Sequence, residues 1–184
     1  MYTPGSFDTK VEEYLCRAMT ITLTSRAPEV ALAFLPAAVK EETRRGILEL
    51  DSFTSPPGRV LVGVVPIFAA DLRLWTLIVE RIGGVGYELA EQLSAEGGAA
   101  VSFTITEDSG PMFVWTEDGA FITQLELNPG VQPCFHAAVL IQGITGVQIN
   151  WELLETVEFE TVVSIPFPWW ALLPERSILV RKQP

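Results

Sequence analysis

Apolar residues change their spacing several times along this chain, and each change marks an element. Between Leu72 and Arg81, Trp75, Leu77 and Val79 are apolar on one side, and Leu74 and Ile78 on the other. A strand apolar on both sides predicts cover on both faces. Residues 82–86 break the run with three glycines, and Val85, Leu89 and Leu93 then recur every fourth position. That is the stripe of a helix over 85–96. Gly97 and Gly98 end it, since glycine tolerates the left-handed backbone just past a helix. Over 100–106, Val101, Phe103 and Ile105 alternate with Ser102 and Thr104. The runs 112–116 and 120–127 flank Glu117-Asp118-Gly119, whose Asp-Gly pair predicts a hairpin.

The same period-two alternation predicts a strand over 17–24, with Met19, Ile21 and Leu23 inward and Thr20, Thr22 and Thr24 outward. Pro28 suits the first turn of a helix over 28–35, which ends before Pro36. Short helices are expected over 11–16 and 41–50, and a valine-rich buried strand over 59–65. Helices follow over 134–142 and 151–156, the second with Asn150 as its N-cap. Alternation over 158–165 suggests a further strand.

Together these elements predict one α+β domain over 1–184, with a mostly antiparallel sheet of five to six strands and helices packed on one face. A sheet covered on both sides is the alternative, allowed by the strand over 72–81. Residues 158–184 form an extra C-terminal segment rich in aromatics and proline.

Charge narrows the range of partners. The net charge is −11, and no Lys or Arg occurs from Ile82 to Pro174, a span holding twelve carboxylates. Such a surface repels nucleic acid and steers a basic protein; plain solubility is the other reading. The longest apolar run, Val60 to Ala70, is too short to span a bilayer, and residues 1–10 lack the basic-then-apolar order of a signal peptide. Cys16 and Cys134 read as free thiols in a reducing, cytoplasmic compartment. A single bridge between them is the alternative.

Candidate chemistry is sparse, and no catalytic, cofactor or metal residue is nominated. The turn Gly83-Gly84-Val85-Gly86 sits between a strand and a helix, but it lacks a full phosphate-binding fingerprint and is flanked by Glu80 and Glu88. One histidine, His136, offers no zinc ligand set. Glu107-Asp108 and Glu117-Asp118 fall at opposite ends of one strand, roughly 20 Å apart, too far to act as a pair. Trp75, Trp115 and Trp151 read as core. Trp169 and Trp170 lie among prolines near the terminus and either fold back or dock on a partner.

Scattered landmarks carry a family resemblance. They are Thr20-Ile21-Thr22-Leu23 before Pro28-Glu29-Val30, and Trp75-Thr76-Leu77-Ile78-Val79-Glu80 before glycines. Leu93-Ser94 then precedes Val101-Ser102, Glu117-Asp118-Gly119 precedes Phe121, and Thr145-Gly146-Val147 precedes Leu153-Leu154. On these, residues 16–155 resemble an uncharacterised actinobacterial family, one of the numbered domains of unknown function. The resemblance implies a bacterial, cytoplasmic α+β domain and brings no catalytic residues.

The expected function is a non-enzymatic, acidic protein-binding module, of the immunity or inhibitor type, for a basic partner. Its contact residues would be Glu107, Asp108, Glu117, Asp118, Glu126, Trp169 and Trp170. The alternatives are an assembly subunit docking through its aromatic tail, and a hydrolase whose pocket gathers Glu80, Glu88 and Glu126. Neither a cofactor nor a nucleic acid is expected, and the oligomeric state is open.

Overall fold

The computed structural model describes residues 5–14, 19–50, 55–81, 86–106 and 110–167. In chain order the elements are α1 (Ser6–Tyr14), β1 (Met19–Thr24), α2 (Pro28–Ala33), β2 (Val39–Lys40), a 3-10 turn (Ile47–Leu50), β3 (Arg59–Phe68) and β4 (Leu74–Glu80). They continue with α3 (Gly86–Ser94), β5 (Ala99–Ile105), β6 (Met112–Glu117), β7 (Ala120–Glu126), α4 (Pro133–Thr145), α5 (Trp151–Thr156) and β8 (Thr161–Pro166).

The α+β class holds, but the strand number does not. One sheet has eight strands in the order β2-β8-β3-β4-β1-β5-β6-β7, and every neighbouring pair is antiparallel. The two strands beyond the expected six are β2 and β8. At two residues β2 is too short to show a period, and β8 is inserted between β2 and β3 rather than appended outside the domain. The helix expected over 41–50 is reduced to the 3-10 turn, and Arg45 instead bridges to Glu158.

Cover on one face is also corrected: helices lie on both. On one face Phe7 and Val11 of α1, Ala137 and Ile141 of α4, and Trp151 and Leu154 of α5 pack on Ile21, Leu77 and Phe103. On the other, Ala31 of α2 and Leu89 and Leu93 of α3 pack on Val62, Ile78, Ala100 and Val163. All six residues of β1 are therefore buried. Thr20, Thr22 and Thr24 are not solvent-facing as their polarity suggests. They satisfy one another and their neighbours laterally: Thr22 Oγ1 lies 2.9 Å from Ser102 Oγ, Thr20 Oγ1 donates to Thr104 Oγ1 at 3.2 Å, and Thr24 Oγ1 donates to the Ala99 carbonyl at 3.2 Å. Burying a hydroxyl is tolerable only with such a partner.

Helix ends follow local chemistry. Pro28 stands in the first turn of α2, and Asn150 Oδ1 accepts the Leu153 N–H at 2.8 Å to cap α5. At the start of α4, Gln132 is left-handed and offers no side-chain cap. Asp8 of α1 replaces it, its two oxygens accepting the Cys134 and Phe135 N–H groups at 2.8 and 3.2 Å. Arg26 closes the other end of α3, donating to the Leu93 carbonyl at 3.1 Å, to Ala95, and to Glu96 at 3.2 Å.

Gly63 in β3 lies directly beneath the buried Phe159 ring, where an added Cβ would meet a ring carbon at 2.5 Å. Gly63→Ala is expected to lower stability by about 1–3 kcal/mol, read as a fall in melting temperature. An unchanged melt would mean that Phe159 does not pack there.

Candidate functional site

The β6–β7 hairpin collects more of the sequence-nominated residues than any other described element. Its two-residue turn places Asp118 at φ 50° and Gly119 at φ 75°, both left-handed, which matches the twist of the flanking strands. The turn is pinned to the end of α3. Asp118 Oδ1 accepts the Gly97 N–H at 2.8 Å, the Asp118 N–H donates to Gly98 at 2.9 Å, and the Gly119 N–H donates to Ser94 at 3.2 Å.

Strand β7 ends the strand order, and among the described residues it pairs with β6 alone. Only Thr123 of its seven residues is even half-buried. Phe121, Ile122 and Leu125 are 37, 49 and 40% exposed. The Leu127 N–H donates to the Pro111 carbonyl at 2.7 Å. Main-chain bonding alternates along an antiparallel pair, so in the register Phe113↔Leu125 and Val114↔Gln124 Leu125 bonds inward. The N–H and C=O of Gln124 and Glu126 then point away from the sheet. A register shift between Trp115 and Thr116 leaves the half of β7 from Thr123 onward regular.

Exposed carboxylates stand at both ends of this edge, Glu117 and Asp118 at the turn and Glu126 at the far end, roughly 20 Å away at about 3.4 Å per residue. Glu117 and Glu126 make no ion pair among the described residues. The hairpin thus unites three of the nominated contact residues. Glu107, Asp108, Trp169 and Trp170 lie outside the described residues, as do Cys16 and the turn residues Gly83, Gly84 and Val85. Sequence reading missed the bare apolar edge itself, because alternating apolar residues look the same in an interior strand.

A family model with the description "Family of unknown function (DUF6461)" matches residues 7–134. The chain belongs to this family. No curated protein and no solved structure matches it. The DUF6461 match runs from α1 to the first turn of α4, so the β6–β7 hairpin lies inside the family's region. Strand β8 lies beyond it, although it sits within the sheet.

Elsewhere in this DUF6461 chain the carboxylates do not converge. Glu80, Thr20, Thr104, Met112 and Glu126 form one row across β4, β1, β5, β6 and β7. Four strand spacings separate Glu80 from Glu126, about 19 Å, twice the reach of a carboxylate pair acting across one bond. Cys134 is buried, and burial followed by the Asp8 charge pushes its thiol up, away from the reactive thiolate. His136 is exposed and two positions along the same helix, where side chains diverge. Among the described residues no three His, Cys, Asp or Glu side chains gather around a metal position, and no helix is long and apolar enough to cross a membrane. A cleft of about 400 Å³ between α1 and α5, lined by Lys10, Trp151, Glu152 and Glu155 among others, holds none of the nominated residues.

Burial, reinforced by Glu91, pushes the Glu88 carboxyl from 4.5 up to about 7. A raised carboxyl makes the folded chain bind its proton more tightly than the unfolded one. Its contribution therefore favours folding below pH 4.5 and is lost as pH rises through about 7. Glu88→Gln is expected to raise the melting temperature at pH 8 and to change it little at pH 4. Equal shifts at both pH values would contradict the buried-carboxyl account.

Proposed function

We propose that this protein is a non-enzymatic binding module whose acidic β6–β7 hairpin meets a basic partner protein. The immunity or inhibitor type, in the cytoplasm of an actinobacterium, is the most concrete form of that role. One observation carries it: Glu117, closing β6, and Glu126, closing β7, stand exposed on a hairpin that also exposes Phe121, Ile122 and Leu125, within a span of the chain that has no Lys or Arg.

Among the described cations, Arg26, Arg45 and Arg73 are engaged with groups other than Glu117 and Glu126. Arg26 is turned to the carbonyls at the end of α3. Arg45 meets Glu158 at 3.9 Å, and Arg73 meets Asp71 at 2.7 Å and holds the Asp71 carboxyl below its usual range. Arg45 and Arg73 lie away from β7, whereas Arg26 sits at the end of α3 that also holds the Asp118-Gly119 turn, its guanidinium donating to those carbonyls. A single exposed ion pair contributes only about 0.2–1 kcal/mol. The acidic surface therefore acts mainly on encounter rate and orientation, and the apolar side chains of β7 supply the contact.

Capture from extract of the native host tests this. The immobilised chain should retain a basic protein at about 0.05 M salt and release it near 0.5 M. The double charge reversal Glu117→Lys with Glu126→Lys should lose that protein while its melting temperature stays unchanged. Retention of the same protein by the reversed chain would overturn the proposal.

A further inference from the structure

The sheet has two outer strands, and they differ in how they are protected. Natural edges are kept from pairing by shortness, by lysine, by proline or by a bulge that twists the strand away. At one end β2 has two residues and ends on Lys40, both exposed. At the other end β7 has seven residues and contains no Lys, Arg or Pro. Its bulge falls near the turn and leaves 123–126 regular. We infer that β7 is a docking edge: it takes an extended segment of a basic partner as a ninth strand. The inference deepens the proposed function and rests on its basic-partner reading.

The chemistry selects the occupant. Gln124 and Glu126 present N–H and C=O groups outward, two residues apart, the spacing at which an added strand makes successive rungs. Side chains alternate along such a strand. Leu125 lies on the face it shares with buried Phe113, and Gln124 and Glu126 lie on the other. An incoming strand therefore meets an apolar neighbour on one face and Glu126 on the other, and Glu117 and Asp118 near the turn. The matching segment alternates Lys or Arg with Val or Ile. A second copy of this chain is a poor match, because it would bring Glu117, Asp118 and Glu126 against carboxylates of its own kind in a molecule of net charge −11.

The test uses the full chain and a heptapeptide of alternating lysine and valine, beside a version with all its internal backbone nitrogens methylated. The two carry the same charge, and methylation removes the donors on both sides of the strand. Amide exchange is followed residue by residue. With the unmethylated peptide the Gln124 and Glu126 amides should slow by about tenfold or more, and with the methylated one they should not. Leu72→Ser, on the exposed β3–β4 turn, should leave the effect unchanged. Gln124→Pro should abolish it without shifting the melt, since an outward N–H at an edge is where proline is tolerated. Equal binding of both peptides without slowing at β7 would overturn strand addition and leave the basic-partner reading standing. Absence of binding by either peptide would overturn both. Slowing of the β7 amides when the free chain alone is concentrated would put a second copy in the edge and overturn the proposal.

Discussion

Burial of both faces of one antiparallel sheet is the constraint on which the rest of this molecule depends. Strand β1 hydrogen-bonds to β4 on one side and β5 on the other, and helices close over its two faces. Met19, Ile21 and Leu23 fill one face. Thr20, Thr22 and Thr24 fill the other, as hydroxyls that bond across to Ser102, Thr104 and the Ala99 backbone. The sheet's interior is thereby withdrawn from any partner. What remains reachable is its two outer strands, the turns and the outer faces of the helices.

The layered arrangement also fixes where several polar and ionisable side chains go. Residues with reactive potential are placed where they serve the fold. Asp8 caps α4 across from α1, Cys134 is buried behind that cap, and Arg26 closes α3. Ser164 accepts from Arg59 Nε at 2.8 Å and donates to Glu41 at 2.6 Å, tying β8 to the segment after β2. These groups are already occupied by one another. The carboxylates that remain exposed near β7 can act at longer range, through charge.

Local features were legible in the sequence because their causes are local. The Asp118-Gly119 turn, proline at the start of α2 and the Asn150 cap each follow from one or two residues. The apolar double-sided pattern at 72–81 also pointed correctly to cover on both faces of β4. Three things were hidden by tertiary context. Threonines in β1 read as solvent-facing, because nothing in a neighbouring residue announces the hydroxyl partners that come from 75 or more positions away. Val39–Lys40 is too short to carry a period, so the edge strand β2 was invisible. The exposed status of β7 was also hidden, since Phe121 and Leu125 look like core residues until the strand order places β7 last among the described strands. Of the nominated contacts, Glu117, Asp118 and Glu126 fall on that one hairpin for a plain reason: the turn and the strand it opens are adjacent in sequence.

Amide exchange along β7 in the free chain tests the open edge most directly. Leu125 bonds inward to β6, while Gln124 and Glu126 face out, so protection should alternate: Leu125 slow, and Gln124 and Glu126 near the rates of an unstructured peptide. Uniform protection along 123–126, as slow as in β1, would mean that the edge is already covered, and would contradict the account.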